Sequence, residues 1–393
     1  MNLLRPSVHF TPQYGWMNDP NGAVYFQGQY HLFYQHNPHG LTWNHMHWGH
    51  AVSENLVDWK HLPIALYPDD MGDIFSGSCI VDKENISGLA APSQELLLAY
   101  YTSHNMETKR EQQCLAYSTD GVTFQKYEGN PILPGKDNTP ARDPHVSRNP
   151  VLGGFTMCIT TEKVIEFYHS RNLLDWEKTG EFALPAYAFQ GMIECPCLFP
   201  VKVENSDALL GGETEEKYVL MMSMDIPETE YSKFPEEAVP HNRLMQYFVG
   251  SFDGKVFLDE NPNARPHLVD YGADYYAGTI FGGLDEPVLI AWLGNAEKSM
   301  EIPTEKEGFR GIQSFPRVLS LVKRNGEYCL KHRFAFVDEK TGKVDVSKEC
   351  NIVTSNGEVF LKREKEKVIF TDHCVREVIE KDGLIARTDH IYQ

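Results

Sequence analysis

One short pattern recurs along this chain and limits what it can fold into. SENLVDW (53 to 59), STDGVTF (118 to 124), SRNLLDW (170 to 176) and SFDGKVF (251 to 257) each read as a serine, a polar turn and a hydrophobic, aromatic ending. They look like one hairpin repeated at intervals of roughly 50 to 80 residues. Between them, runs such as GAVYFQGQYHLFYQ, ELLLAYYTS, KYVLMMSM and PVLIAWLG alternate with Gly, Pro, Asn and Asp turns, and few stretches hold a helical period past two turns. The chain is therefore expected to be all-β. The spacing suits one four-stranded sheet plus loops, as in four or five propeller blades packed radially with only short strand edges exposed. Turns rich in Ser, Asp and Gly also recur in other all-β folds, so the repeat alone leaves the architecture open.

After PRVLSLVKRNGEYCL the composition shifts toward Lys, Glu, Val and Asp, yet segments such as EVFLKREKEKVIF still alternate like strands. A division into 1–320 and a small second β domain, 321–393, follows. The polar stretches 202–217 and 226–242 read as surface insertions, because strand patterns resume after each. A net charge of -19 would repel nucleic acid and anionic membrane surfaces, which leaves small neutral molecules as the expected partners. The start, MNLLRPSVHFTPQ, lacks the basic and apolar regions of a secretory signal, and no apolar run is long enough to span a bilayer, so a cytoplasmic location is expected. The eight cysteines have neither disulfide-scaffold density nor zinc-site spacing and read as free thiols. The histidines at 36, 39, 45, 47 and 50 read as polar positions of strands and loops, with no metal site expected.

Three carboxylates stand in settings that suit chemistry: Asp19 in WMNDPNG, Asp143 in ARDPHV and Glu194 in GMIECPC. Proline disfavours the helical region for the residue before it, so Asp19 and Asp143 are expected in extended backbone that projects the side chain from a fixed base. Glycoside cleavage needs one carboxylate at the anomeric centre and a second, kept protonated by an apolar setting, for the leaving oxygen. Each Asp-Pro is also an ordinary turn starter. Aromatic residues crowd the first carboxylate: Trp16, Tyr34, Trp43, Trp48 and Trp59. Aromatic faces stack on sugar C–H faces while amides bond hydroxyls, so Asn18, Gln35 and Asn37 are plausible companions. Trp48 and Trp59 suit the core better. Trp43, in a polar loop, is the better ligand candidate.

These residues carry a resemblance to glycoside hydrolase family 32, the invertase, fructanase and sucrose-6-phosphate hydrolase family. Its marks appear in order: WMNDPNG (16 to 22), YQHNP (34 to 38), MHWGHAVSENLVDWKHLPIALYPD (46 to 69), FSGS (75 to 78), RDP (142 to 144), ECP (194 to 196), DYYAGTIF (274 to 281), WLGN (292 to 295) and FRGIQSFPRVLSL (309 to 321). The resemblance implies a five-bladed β-propeller with a C-terminal β-sandwich, here reduced, and a retaining β-fructofuranosidase acting on terminal β-D-fructofuranosyl bonds without a cofactor. It implies Asp19 as the nucleophile that forms a fructosyl ester, and Glu194 as the acid that protonates the leaving oxygen and then, as base, activates water. Asp143 would hold fructose hydroxyls, with Arg142 positioning the carboxylates. Asn18, Gln35, Trp43, Phe75 and Ser76 resemble the fructose-binding wall, Asp274 a further polar lining residue, and Trp292 of WLGN completes the substrate-binding set.

The chain departs from the family pattern in places. Its C-terminal region is short, His373 and Ile379 stand where Arg and Phe are usual, and a reduced sandwich leaves an edge that a second copy could complete, so a homo-oligomer is an open expectation. Ala296 and Glu297 replace an expected aromatic platform and Gly278 a larger residue, which makes room for a different leaving group. Sucrose, sucrose 6-phosphate and short fructo-oligosaccharides are the expected substrates. Arg243, Lys298, Lys306 and Arg310 are the cations that could meet a phosphate. Fructosyl transfer would use the same residues as hydrolysis. A non-catalytic fructoside-binding protein would not need an acid beside a nucleophile.

Overall fold

Each alternating run folds as a strand of an antiparallel meander in the computed structural model, which describes residues 4–204, 215–260, 265–294, 300, 303–337 and 361–391. The first meander is β1 (Gly15–Phe26), β2 (Gln29–Asn37), β3 (His47–Ser53) and β4 (Trp59–Leu66). The second is β5 (Asp73–Asp82), β6 (Leu96–His104), β7 (Glu111–Ser118) and β8 (Gln125–Lys126). The third is β9 (Ala141–Arg148), β10 (Phe155–Thr161), β11 (Val164–Ser170) and β12 (Glu177–Ala183), and the fourth is β13 (Met192–Glu204), β14 (Glu216–Asp225), β15 (Arg243–Phe252) and β16 (Phe257–Asp259). A fifth group follows with β17 (Tyr276–Ile280), β18 (Val288–Leu293), β19 (Phe309–Arg310), β20 (Ile312–Gln313), β21 (Arg317–Arg324) and β22 (Glu327–Phe334).

The four recurring turns occupy one structural position, the connection between the third and fourth strands of the first four meanders. The fourth residue of each turn is left-handed: φ is 63° at Leu56, 69° at Gly121, 67° at Leu173 and 89° at Gly254. Glycine takes this conformation freely. The two leucines are held in it by burial and by the turn serine, because Ser53 Oγ accepts the Leu56 N–H at 2.9 Å and Ser170 Oγ the Leu173 N–H at 2.8 Å.

Neighbouring groups are stitched at their ends. β19 lies parallel to β1, pairing Phe309 with Gly15, and β21 lies parallel to the end of β13, so that the fourth and fifth groups share a nine-stranded sheet. The leading strands also pack in sequence, β1 beside β5, then β9, β13 and β17, and β17 returns to β1.

Besides a shift in β1 between Asn21 and Val24, every leading strand is interrupted near its start. Its register with the second strand shifts between Met17 and Pro20 in β1, Ile74 and Gly77 in β5, Arg142 and His145 in β9, Glu194 and Cys197 in β13, and Tyr276 and Thr279 in β17. Such irregularities bend a strand and re-aim its side chains. Asp143, Cys195 and Ala277 adopt positive φ there, at 61°, 48° and 53°. Asp143 is thus not in the extended conformation expected before a proline. The irregularity in β9 turns its backbone instead, and its N–H donates to Thr102 Oγ1 at 3.0 Å.

The C-terminal stretch forms a four-stranded sheet of β23 (Leu361–Glu364), β24 (Lys367–Asp372), β25 (Val375–Glu380) and β26 (Ile385–His390). Its Phe370 and Ile379 pack with Val8, Phe315, Phe334 and Phe336. β21 runs through residue 320 without a break. Beneath the sheet lies a buried ionic cluster. Arg317 pairs with Asp270 at 2.7 Å and with Glu377, and His9 bridges Asp372 at 3.0 Å and Glu377 at 2.8 Å. Buried charges cost several kcal/mol each unless paired, and here every member has an opposite partner. Burial alone would lower the His9 pKa, but its bonds to Asp372 and Glu377 push it up to about 9. The seven cysteines among the described residues are free thiols, and Cys350 lies outside them.

Candidate active site

The five irregularities face a cavity of about 570 Å³ whose wall is drawn from every group. β1 contributes Trp16, Asn18 and Asp19, β2 Gln35, the loop before β3 Trp43, β5 Phe75 and Ser76, β9 Arg142 and Asp143, β13 Glu194, and β18 Trp292. Ten of the eleven residues picked from the sequence therefore line one space. Asp274 does not. Its carboxylate turns outward to β26, accepting the His390 N–H at 3.0 Å, because it precedes the irregularity that aims β17 inward.

Asp19 is held on both oxygens. Oδ1 accepts the Asn18 amide at 2.9 Å and Oδ2 the Ser76 hydroxyl at 2.6 Å. Asn18 in turn accepts the Trp16 indole N–H at 2.8 Å, and its backbone carbonyl accepts Gln313 at 2.6 Å. The Cys195 thiol stands 3.7 Å from Asp19 Oδ2. Gln35 donates to the Ile74 carbonyl at 3.0 Å and fixes the approach to Phe75. Asn37 donates to the Thr42 carbonyl at 2.9 Å, so it secures the loop that carries Trp43.

Glu194 accepts the Tyr276 hydroxyl at 2.6 Å and has Arg142 Nη2 at 3.8 Å. Burial pushes its pKa up, against the lowering pull of Arg142 and of the Tyr276 hydrogen bond. Burial also pushes Asp143 up to about 7, although Arg142 and the Cys195 N–H at 2.8 Å favour its ionised form. Arg142 itself is raised: burial would lower it, but Asp143, Glu111 and Glu194 all favour its charge.

Aromatic rings form the rest of the wall. Trp43 is 45% exposed and meets Phe75 edge-on at 5.7 Å. Phe75 stacks on His104 at 4.3 Å and 4°. Trp292 meets Trp16 at 6.1 Å and Tyr276 at 6.4 Å, both edge-on. Trp48 is buried and Trp59 packs on Phe10, as expected of core residues. Of the cations considered for a phosphate, Arg243 lines the cavity, where it pairs with Asp225 at 3.1 Å, whereas Arg310 pairs with Glu305 at 2.8 Å and Lys306 is not in the wall. Lys298 and the substituted positions Ala296 and Glu297 lie outside the described residues.

Sequence reasoning missed His104, Met106, Lys109, Glu111, Tyr276 and Met300 in the wall, and it named Arg243 only for a phosphate and not as a neighbour of the acid. Tyr276 was within reach, since it stands in DYYAGTIF. His104 and Glu111 have a fainter signal as the polar ends of two apolar strands.

Residues 9–332 match the model of the glycosyl hydrolases family 32 N-terminal domain. The levanase of Bacillus subtilis (strain 168) is 40% identical over 322 residues, covering 81% of this chain and 45% of that protein. The invertase of Schizosaccharomyces pombe is 35% identical over 332 residues, covering 81% of this chain and 53% of that one. The chain thus spans about half the length of these curated relatives. The crystal structure of exo-inulinase from Aspergillus awamori superposes with a TM-score of 0.80 at 26% identity, covering 99% of this chain and 93% of that one. Because the matched stretch includes every strand that builds the cavity wall, the chain belongs to glycosyl hydrolase family 32.

Proposed function

We propose that this chain is a retaining β-fructofuranosidase that hydrolyses terminal β-D-fructofuranosyl bonds in sucrose, sucrose 6-phosphate or short fructo-oligosaccharides. The observation that carries the reading is the contrast between Asp19 and Glu194 across one cavity. Asp19 is exposed to the cavity and aimed by two donors, as a nucleophile must be, whereas Glu194 is pushed toward its protonated form, as an acid must be. In the first step Asp19 attacks the anomeric carbon and Glu194 gives its proton to the leaving oxygen. In the second, Glu194 takes a proton from water as that water opens the fructosyl ester. Asp143 and Arg142 hold the sugar hydroxyls and the carboxylates in register. The names of the relatives, levanase, invertase and exo-inulinase, support a fructoside as substrate.

The ring of leading strands supports a five-bladed β-propeller over residues 1–320, with 321–393 as a reduced sandwich-like layer on its flank. The shared edge at β21 then joins the two.

The test is fructose release from sucrose, sucrose 6-phosphate, and inulin- and levan-type oligosaccharides, followed by chromatography with an Asp19→Ala control. Fructose that the control fails to release, by a factor of about 10⁴ or more, supports the reading. A folded protein that releases none from any of them overturns it.

A further inference from the structure

Glu111 stands at the start of β7, buried to 3% exposure, and its two oxygens serve β6 and β9. Oε1 accepts His104 Nδ1–H at 3.2 Å and Arg142 Nη1 at 2.6 Å, while Oε2 accepts the Ala141 N–H at 2.8 Å. His104 faces Glu111 directly across the β6–β7 pair. The next rung on the same face, Thr102 opposite Gln113, repeats the arrangement. Thr102 accepts the Asp143 N–H and donates to Gln113 at 2.8 Å, and Gln113 donates to the Ala141 carbonyl at 2.6 Å. Two strands that carry no reacting group thus brace the turn that carries Arg142 and Asp143.

The brace has an electrostatic consequence. With Nη1 taken by Glu111, the Arg142 guanidinium presents Nη2 to Glu194 Oε1 at 3.8 Å, too far for a hydrogen bond, and rests it on Met192 Sδ at 3.2 Å. A guanidinium free to close that gap would form a charge-assisted pair and strip the acid of its proton. The Glu111 carboxylate also offsets part of the positive charge that Glu194 senses. The other charged or titratable groups facing Glu194 are Tyr276 from β17, Arg243 from β15, Asp19 from β1, Asp143 from β9 and the Cys195 thiol beside it on β13. None of them contacts Glu111 in the brace.

We propose that Glu111, backed by His104, is a positioning residue for the general acid: it holds Arg142 off Glu194 and tempers the charge that Arg142 presents to it. This rests on Glu194 being the general acid. Full-length Glu111→Gln removes the charge and keeps the shape, so the basic limb of the kcat/KM profile on a cleaved fructoside is expected to move about 1 unit toward acid. Glu111→Asp keeps the charge with a shorter reach. It is expected to return the limb only part of the way, to about half the shift of Glu111→Gln, because the charge is restored while the grip on Arg142 is loosened, and kcat stays about 10-fold low. A purely structural role would lower melting temperature and specific activity but leave the limb of Glu111→Gln superimposed on wild type, and that result overturns the proposal. Should the wild type cleave no fructoside, the functional reading fails separately. The same question is then answered by carboxyl NMR of ¹³C-glutamate protein, with Glu194→Gln to assign the signal. A Glu194 midpoint that Glu111→Gln leaves unmoved sinks the proposal there too.

Discussion

The Tyr276 hydroxyl donates to Glu194 Oε2 at 2.6 Å, so the acid's direct hydrogen bond comes from β17 while the nearest guanidinium stands off at 3.8 Å. A donor to a carboxylate favours its ionised form. Tyr276→Phe is therefore expected to move the basic limb of the kcat/KM profile upward by about 1 unit, opposite to Glu111→Gln, and to lower kcat about 10-fold through looser aim. Profiles of the two variants measured on one fructoside would show the opposed shifts, and movement in the same direction would contradict this account of the acid.

Ser76 donates to Oδ2 of Asp19 at 2.6 Å, far closer than the Cys195 thiol at 3.7 Å. Hydrogen bonds to charged groups contribute about 1.5 to 3 kcal/mol. Ser76→Ala is expected to cut kcat/KM by about 10- to 100-fold without changing the thermal midpoint appreciably. Steady-state kinetics beside a melting curve would check both halves.

Trp43 is nearly half exposed, and its ring meets the edge of Phe75 in the wall. It has little packing to lose. Trp43→Ala should raise KM about 10-fold, the loss of one aromatic platform for a sugar face, while stability stays within about 0.5 kcal/mol. A large fall in melting temperature would instead make Trp43 a structural residue.

His9 ties the N-terminal segment to the C-terminal sheet, and its pKa sets a pH window for stability. Its folded value of about 9 lies above the ordinary 6.5, so its contribution is complete below about pH 6.5 and disappears as pH climbs through 9. Asp372 is held below the usual carboxylate range, with the His9 contacts outweighing burial, so its contribution is present above about pH 3.8 and disappears further into acid. The contribution of His9 to the thermal midpoint, read as the difference between wild type and His9→Gln, is expected to plateau from about pH 4.5 to 6.5 and decline toward 9. His9→Gln should cost about 3 to 5 kcal/mol on the plateau and progressively less along that decline.

The turns and the carboxylates were legible for one reason: each is written in adjacent residues. SENLVDW and its three relatives specify a left-handed fourth position by a local serine or aspartate, so the same loop forms wherever the string occurs. Asp19 and Asp143 directly precede prolines and Glu194 stands two residues before one, all at the irregularities themselves. Glu111, by contrast, acts on Arg142 from 31 positions away, and no local string announces that contact. Asp274 was misread because it lies two residues before Tyr276, and the register shift that follows separates the face of β17 that looks into the cavity from the backbone before it. Asp143 was assigned the wrong backbone because the preference of a pre-proline residue is weaker than the tertiary demand of a strand that must turn.

Since each leading strand carries its own irregularity, with a second one in β1, the registers of the five mounts around the cavity are set strand by strand even though hydrogen bonds link their side chains. The alternation of side chains has a period of two, so losing one residue from such a strand would exchange inward and outward faces beyond that point while the other four mounts kept their aim. Insertions and deletions at these positions would consequently be far more damaging than substitutions, and the wall can diversify one strand at a time only by exchanging residues at constant length.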